Sequence, residues 1–341
     1  MKKIIIILVC VIIALAGYII LKNDSGSVAA NSNLPYSGVK LRIVKQYTTA
    51  YAPIYVAEKL NLIDKYLPGI EVELVTISGG AAISEALISG QVDMGVMGIS
   101  PALIAADKGA DFKIAMGLSV LPIDLMVNGD KIKSFSDFKP EDKISVPGIG
   151  SINHIAVSLM AKKFLGDAHA FDKNVVVMRN PDSYTSLISN SLTAHASIMA
   201  YSALEEKAGF KKLASSSDVI GDVSLVCVAS KKLYEQPAVY AGVLAGLNEA
   251  ITLINARDEK TIQIIADEEK LTVEQVKEYL SWDGTNYTSN IYGLMNIADY
   301  MYQEGYIKNK PVLENYVWNN VLGMIGKRMG GKSLVEKALG E

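Results

Sequence analysis

The sequence predicts an α/β protein of two lobes, in which two doubly wound sheets are joined by a two-segment hinge. The chain has 341 residues, half of them apolar, which is enough for two ordinary domains. Short apolar strands alternate with amphipathic helices, as in doubly wound sheets. Each predicted lobe also has a glycine-rich strand-to-helix turn, ISGGAAISEAL at 77–87 and SVPGIGSINHIAVSLM at 145–160.

The predicted elements of the first lobe begin and end at residues that favour helix boundaries. Pro53 opens the first helix, Gly90 closes the second, and Ser100-Pro101 starts the third, which ends at Gly109. The strands alternate in polarity or are apolar throughout. In order, we predict a strand at 41–47, a helix from 53 through 63 to a stop at 68–69, a strand at 70–77, a helix at 81–89, a strand at 91–99, a short helix from 100 and a strand at 112–119.

A second α/β series follows Pro122. Its predicted elements are a strand before the Asn128-Gly129 turn, strands at 143–146, 174–178 and 195–199, and helices at 153–165 and 183–190. An apolar strand at 222–230 returns to the first lobe, and the chain is helical from Pro237 onward. The predicted division is 39–120 plus 223–341 for lobe one and 121–222 for lobe two, with hinge crossings near 119–123 and 219–224.

The N-terminus has the pattern of an export signal. Lys2 and Lys3 precede an uncharged apolar run, so residues 1–21 are predicted to be a signal peptide or membrane anchor that places the body outside the cell. The sequence leaves open whether this segment is cleaved, lipidated at Cys10 or retained. Residues 22–38, rich in Ser, Asn, Gly and Ala, are predicted to be a flexible tether. We expect an extracytoplasmic monomer, either membrane-anchored or periplasmic.

Composition and motifs exclude several functions. A net charge of −3 is not the basic charge typical of proteins that bind nucleic acid. The sequence has no Walker, GxSxG, HExxH or CxxC motif, so we expect no enzyme activity, cofactor or metal. Of the two cysteines, Cys10 lies in the N-terminal apolar run and Cys227 in an apolar strand, so no internal disulfide is expected.

The candidate ligand-binding residues follow strands or begin helices. Ligands of open α/β sheets bind beyond the carboxyl ends of the strands, and helix N-termini offer unpaired N–H groups to anions. The candidates of the first lobe are Tyr47, Thr48, Thr49, Tyr51, Ser78, Gly79, Gly80, Ser100 and Ser119. Those of the second lobe are Gly150, Ser151, Asn153, His154 and Arg179. For each, the alternative is an ordinary turn, cap or surface residue.

Two of these candidates carry more specific alternatives. His154 has no second histidine or carboxylate at a ligating spacing, so a hydrogen-bonding or packing role is favoured over a metal ligand or a base. Arg179 follows a predicted strand and is suited to bidentate binding of a sulfonate, carboxylate or nitrate. The alternative is a solvated arginine before the Asn180-Pro181 turn.

The chain resembles the binding proteins of ABC importers for sulfonates, nitrate, taurine and thiamine pyrimidines. The resemblance lies in SGQVD at 89–93, GISPAL at 98–103, IKSFSDFKPEDKISVPGIGSINH at 132–154 and GLMNIADYMYQEGYIKNKP at 293–311. It implies the periplasmic-binding-protein type II fold and a binding contact at Tyr201. One segment departs from the pattern: in SNSLTAHASIMAYS, His195 stands where the second SGQVDA-like motif has its acidic residue.

The resemblance also implies a function. The chain would capture a small polar or anionic solute, of the sulfonate, nitrate, taurine or pyrimidine class, in an interlobe cleft. It would deliver that solute to an ABC permease driven by a cytoplasmic ATPase. The alternatives are a ligand sensor module or a pyrimidine-related enzyme on the same fold, although the cysteine-rich motif of that enzyme branch is absent.

Overall fold

The computed structural model describes residues 34–221, 223–282 and 286–323. The predicted signal or anchor at 1–21, and the predicted tether up to residue 33, lie outside the described residues. The strands within the described ranges are β1 Lys40–Lys45, β2 Glu71–Thr76, β3 Met94–Gly98, β4 Lys113–Leu121, β5 Asp124–Val127, β6 Ile144–Val146, β7 Val175–Val177, β8 Ala194–Ser197, β9 Lys211–Ser215, β10 Val223–Ala229 and β11 Asn286–Tyr287.

The α-helices of the described residues connect these strands or follow β10. They are α1 Ala52–Lys59, α2 Leu62–Tyr66, α3 Gly80–Ile88, α4 Ile99–Asp107, α5 Ile152–Leu165, α6 Asn180–Ile188, α7 Tyr201–Lys207, α8 Lys231–Tyr234, α9 Pro237–Asn255, α10 Glu259–Glu269, α11 Val273–Leu280, α12 Leu294–Gln303 and α13 Leu313–Tyr316. The single helix predicted from 53 to a stop at 68–69 is two helices, because Asn61 between them adopts a left-handed conformation with φ 53°.

The strands form two sheets, one in each lobe. The first has the order β11-β4-β10-β3-β1-β2 and the second β7-β6-β8-β5-β9. Strands β1, β2 and β3 are parallel, as are β6, β7 and β8. The predicted arrangement of two α/β lobes, each with its own sheet, is confirmed, whereas the exact lobe boundaries remain a prediction.

Both sheets are mixed rather than parallel throughout. β10 is antiparallel to β3 and β4, and β5 is antiparallel to β8 and β9. The reason is the path of the chain. β5 and β10 each arrive from the other lobe, so they begin at the end of the sheet that faces the cleft. The parallel strands end there, and β5 and β10 therefore run in the opposite direction. The sequence also left β9 and β11 unpredicted, because β9 begins with two lysines and β11 has only two residues.

The first crossing between the lobes is hydrogen-bonded to the segment that leads into the second. The backbone N–H of Ile123 donates to Ser216 Oγ at 2.9 Å, and the backbone N–H of Ser216 donates to the Ile123 carbonyl oxygen at 2.8 Å. Ile123 lies in the first crossing and Ser216 shortly before the second. This reciprocal pair fixes the two connections side by side, which favours bending as one hinge.

The core of the first lobe lies between its sheet and the C-terminal helices. Helix α9 packs on α1 and α2, and its residues Val243, Leu247 and Ile254 are fully buried. Among the described residues, α9 is also the one helix long and apolar enough to cross a membrane, and 56% of its apolar window is buried. That apolar length is accounted for by packing, as in the core helices of soluble proteins.

Candidate functional site: the interlobe cleft

A cleft of about 450 Å³, including the part open to solvent, lies between the two lobes. Its walls come from both sheets and from the hinge. The lining residues are Gln46, Tyr51, Gly79, Gly80, Gly98, Pro101, Leu121, Ile123, Pro147, Ser151, Ile152, Asn153, Asn180, Ile198, Val223 and Leu225. None of these described residues has a charged side chain, so hydrogen bonds and backbone dipoles must provide the polar recognition.

Four helices point their N-termini at this cleft. The lining includes Gly80 at the start of α3, Gly98 at the N-cap of α4, Ser151 at the N-cap of α5 and Asn180 at the start of α6. Two of these helices belong to each lobe. The first N–H groups of a helix have no partner within the helix and carry the positive end of its dipole. The cleft therefore offers positive potential without a cationic side chain.

Gln46 organises the first-lobe wall. Its Oε1 accepts from the backbone N–H of Gly79 at 2.8 Å, and its Nε2 donates to the Val96 carbonyl oxygen at 3.3 Å. Gly79 has a φ of +88°, and a Cβ atom there would lie 3.2 Å from the carbonyl oxygen of Pro147 in the other lobe. Glycine is required at this position both by the backbone conformation and by the close approach of the lobes.

The loop before α5 forms the facing wall. Ser151 Oγ accepts from the backbone N–H of His154 at 3.2 Å and caps the helix. Asn153 is buried and its Nδ2 donates to the Ala196 carbonyl oxygen at 2.7 Å, which ties the helix start to β8. His154 Nδ1 accepts from the backbone N–H of Gly150 at 3.2 Å. Burial lowers the pKa of His154, so the ring is neutral at neutral pH.

The hydroxyl-rich loop after β1 is buried behind the cleft. Thr48 caps a short 3-10 helix at Thr49–Tyr51, and its Oγ1 accepts from the backbone N–H of Ala50 at 3.2 Å. Ser119 Oγ donates to the Ala50 carbonyl oxygen at 2.9 Å. Tyr51 is 4% exposed and is the residue of this loop that lines the cleft.

Five of the candidate residues predicted from the sequence line the cleft. They are Tyr51, Gly79, Gly80, Ser151 and Asn153. The other candidates lie outside that lining: Tyr47, Thr48, Thr49, Ser78, Ser100, Ser119, Gly150, His154, Arg179 and Tyr201. Ser100 is fully buried, and its Oγ has no hydrogen-bond partner among the described residues. Sequence reasoning missed Gln46 and Asn180, which are single polar residues at a strand end and a helix start.

Arg179 lies at the outer edge of the cleft. Its Nε and NH2 groups donate to the two carboxylate oxygens of Asp182 at 2.7 and 3.2 Å, and its side chain is 55% exposed. Its guanidinium carbon is 5.9 Å from the ring centroid of Tyr47 in the other lobe. Nearby, the rings of Tyr184 and Tyr201 are 5.8 Å apart, and burial raises the pKa of Tyr201 to about 12.

We expect Arg179→Ala to weaken binding of an anionic solute by no more than about threefold, because an exposed ion pair contributes little. Asp182 already occupies the guanidinium, and Arg179 does not line the cleft. Titration calorimetry with methanesulfonate measures the effect, with Lys133→Ala, another exposed cation of the second lobe, as the control. A loss of tenfold or more would mean that Arg179 turns inward when the solute binds.

The lobes are in close contact around the cleft. Ser158 of α5 lies 2.6 Å from the Tyr300 hydroxyl and accepts from the Tyr306 hydroxyl at 2.9 Å. A Cβ atom at Gly98 would lie 2.5 Å from Ile152 Cγ2 across the cleft. These contacts join residues of both predicted lobes, so the structure is a closed arrangement.

The comparisons agree with this architecture. Residues 37–169 match the model of the NMT1-like family. No curated protein matches the chain. Among solved structures, the alkanesulfonate-binding protein SsuA from Xanthomonas axonopodis pv. citri, bound to MOPS, is 19% identical with a TM-score of 0.67, over 83% of this chain and 99% of that one.

Two further solved structures are similar. The periplasmic aliphatic sulphonate binding protein SsuA from Escherichia coli is 23% identical, with a TM-score of 0.65, over 87% of this chain and 96% of that one. The periplasmic nitrate-binding protein NrtA from Synechocystis PCC 6803 is 14% identical, with a TM-score of 0.58, over 70% and 69%. The resemblance predicted from the sequence is thus confirmed: the chain carries the NMT1-like pattern over residues 37–169 and has the fold of the periplasmic binding proteins.

Proposed function

We propose that this chain is the extracytoplasmic solute-binding protein of an ABC importer. It captures a small polar or anionic solute between its lobes and presents it to a membrane permease driven by a cytoplasmic ATPase. The observation that carries the proposal is the convergence of four helix N-termini, two from each lobe, on one cleft beside a paired hinge. The lysine-flanked apolar segment at 2–21 supports the extracytoplasmic location.

The walls of the cleft favour an anionic solute such as a sulfonate or nitrate. Helix N-termini stabilise anions through their N–H groups and their dipoles, and no carboxylate is present among the described lining residues to oppose a negative charge. The second candidate is a neutral pyrimidine, which is favoured by the ring of Tyr51 on the cleft wall.

Binding and closure are coupled in this proposal. A solute that contacts N-termini of both lobes gains more interactions in the closed form than in the open form, so it shifts the population toward closure. The hinge then needs only to bend at the two crossings, beside the hydrogen-bonded pair of Ile123 and Ser216. The closed surface, which spans both lobes, is the feature that a permease would recognise.

Mass spectrometry of the solute that co-purifies with the full chain tests the proposal. Calorimetric titrations with methanesulfonate, taurine, nitrate and a hydroxymethylpyrimidine then distinguish the classes. We expect one class to bind and to be recovered unchanged. Chemical conversion of the bound compound would instead support an enzyme on the same fold. Failure of every compound to bind, together with no co-purifying solute, would contradict the proposed function.

A further inference from the structure

A buried pair of side chains in the second lobe lies directly behind a cleft residue. His195 of β8 and Glu205 of α7 are both fully buried, and His195 Nδ1 is 2.6 Å from Glu205 Oε1. The other ring nitrogen, Nε2, is 3.4 Å from Oδ1 of Asn180. Asn180 in turn lines the cleft. The three side chains form a hydrogen-bonded chain from the interior of the lobe to the space that a solute would occupy.

The surroundings of Glu205 favour an electrically neutral pair. Its second oxygen, Oε2, has no hydrogen-bond partner among the described residues. Within those residues, His195 is its one ion-pair partner closer than 4.0 Å. Lys212 pairs instead with Asp124 at 3.2 Å and with Glu206, the residue after Glu205, at 3.9 Å. A fully buried carboxylate with no compensating charge is costly, so we infer that the pair shares two protons.

Both ways of placing these two protons lead to the same result at the cleft. The pair is either an imidazolium beside a carboxylate or a neutral imidazole beside a carboxylic acid. In each case one proton lies in the short bond between His195 and Glu205, and the other lies on Nε2 of His195. A protonated Nε2 donates to Oδ1 of Asn180, which leaves the amide hydrogens on Nδ2 free for the cleft.

We propose that the His195–Glu205 pair fixes the orientation of the Asn180 carboxamide, so that the cleft presents a hydrogen-bond donor there and selects an acceptor atom on the solute. Without a proton on Nε2, Asn180 would turn over and present its carbonyl oxygen instead. His195 and Glu205 are thus positioning residues for ligand specificity. The orientation follows from the buried pair itself, whereas the selection of an acceptor rests on the proposed function.

The orientation can be tested without a ligand. Long-range proton–nitrogen correlation spectra of the full chain, labelled with ¹⁵N-histidine, report which ring nitrogens carry protons. The chain has three histidines, so loss of one set of signals in His195→Gln assigns the ring. We expect a proton on Nε2 of His195 at neutral pH. An unprotonated Nε2 overturns the proposal, whatever the protein binds.

The selectivity is tested with variants and methanesulfonate, whose sulfonate oxygens only accept hydrogen bonds. We expect His195→Met, which removes the donor to Asn180, to weaken binding about tenfold, and His195→Gln, whose amide can still donate, to restore most of it. Lys133→Ala, an exposed residue of the second lobe, is the control. Equal losses of affinity in His195→Gln and His195→Met would show that His195 has only a structural role, and would overturn the proposal.

The two levels of inference fail separately. A protonated Nε2 in a protein that does not bind methanesulfonate supports the fixed donor and contradicts the sulfonate class of the proposed function. Binding of methanesulfonate by a protein with an unprotonated Nε2 supports that function and overturns the role of the pair.

Discussion

Replacing Gly98 with alanine is expected to weaken solute binding by roughly tenfold to a hundredfold while leaving the fold intact. A Cβ atom at Gly98 would lie 2.5 Å from Cγ2 and 2.6 Å from Cβ of Ile152, which belongs to the other lobe. Ile152 is β-branched and begins α5, so its side chain has little freedom to turn aside. Overpacking of this kind costs about 1–3 kcal/mol, and here it acts on the closed form alone.

Three further variants make this prediction specific. Gly148→Ala, which meets nothing within 4 Å, should bind normally. Gly95→Ala, whose Cβ would lie 2.5 Å from Ile83 inside the first lobe, should lower the unfolding temperature instead. Exchanging the two residues, as Gly98→Ala with Ile152→Gly, should recover part of the affinity. Calorimetry measures the binding and thermal unfolding without solute measures the fold. Unchanged affinity in Gly98→Ala would contradict closure onto this contact.

The sequence predicted the positions of the helix starts better than the side chains that face the solute. The turns at 77–87 and 145–160 place Gly79, Gly80, Ser151 and Asn153 on the cleft wall, because glycine and cap residues mark a helix N-terminus locally. Ser100 was predicted to start a helix in the same way, yet α4 begins at Ile99 with Gly98 as its N-cap, and the Ser100 side chain is fully buried. The sequence pattern locates the start of a helix, whereas packing of the two lobes decides which atoms at that start a solute can contact.

Other parts of the site depend on partners that are distant in sequence. Gln46 bridges Gly79 and Val96, three residues that only the sheet brings together. His195 meets Glu205 from the following helix, and neither residue alone indicates a buried pair. Arg179 is different, because Asp182 lies three residues ahead on the same helix, a spacing that forms ion pairs. That local spacing could have indicated a paired, outward-facing arginine, whereas the alternative weighed from the sequence was only a solvated arginine before the Asn180-Pro181 turn.

The direction of the crossing strands could not be predicted from periodicity. An apolar run such as that of β10 is equally compatible with a parallel and an antiparallel neighbour. β10 is antiparallel to β3 because of the path of the chain. The chain leaves β9 in the second lobe and enters the first sheet at the end that faces the cleft. The mixed sheets therefore follow from the hinge rather than from any residue within the strands.

Glu269 is expected to make the stability of the protein fall between about pH 4.5 and pH 7. Burial raises the pKa of this carboxyl from its ordinary value of 4.5 to about 7, with the positive charge of Lys45 opposing the shift. The folded protein thus holds a proton that the unfolded chain releases at lower pH. Stability is full below pH 4.5 and is lost as the pH rises through 7, by roughly 3 kcal/mol at 1.36 kcal/mol per pH unit.

Glu269→Gln removes this dependence, because an amide carries no proton to release. We expect wild type and Glu269→Gln to have similar urea unfolding midpoints at pH 4.5, and the variant to be the more stable protein at pH 8. Asp267→Asn, exposed on the same helix, should follow the wild type. Parallel stability curves of wild type and Glu269→Gln across this range would mean that solvent reaches the carboxylate.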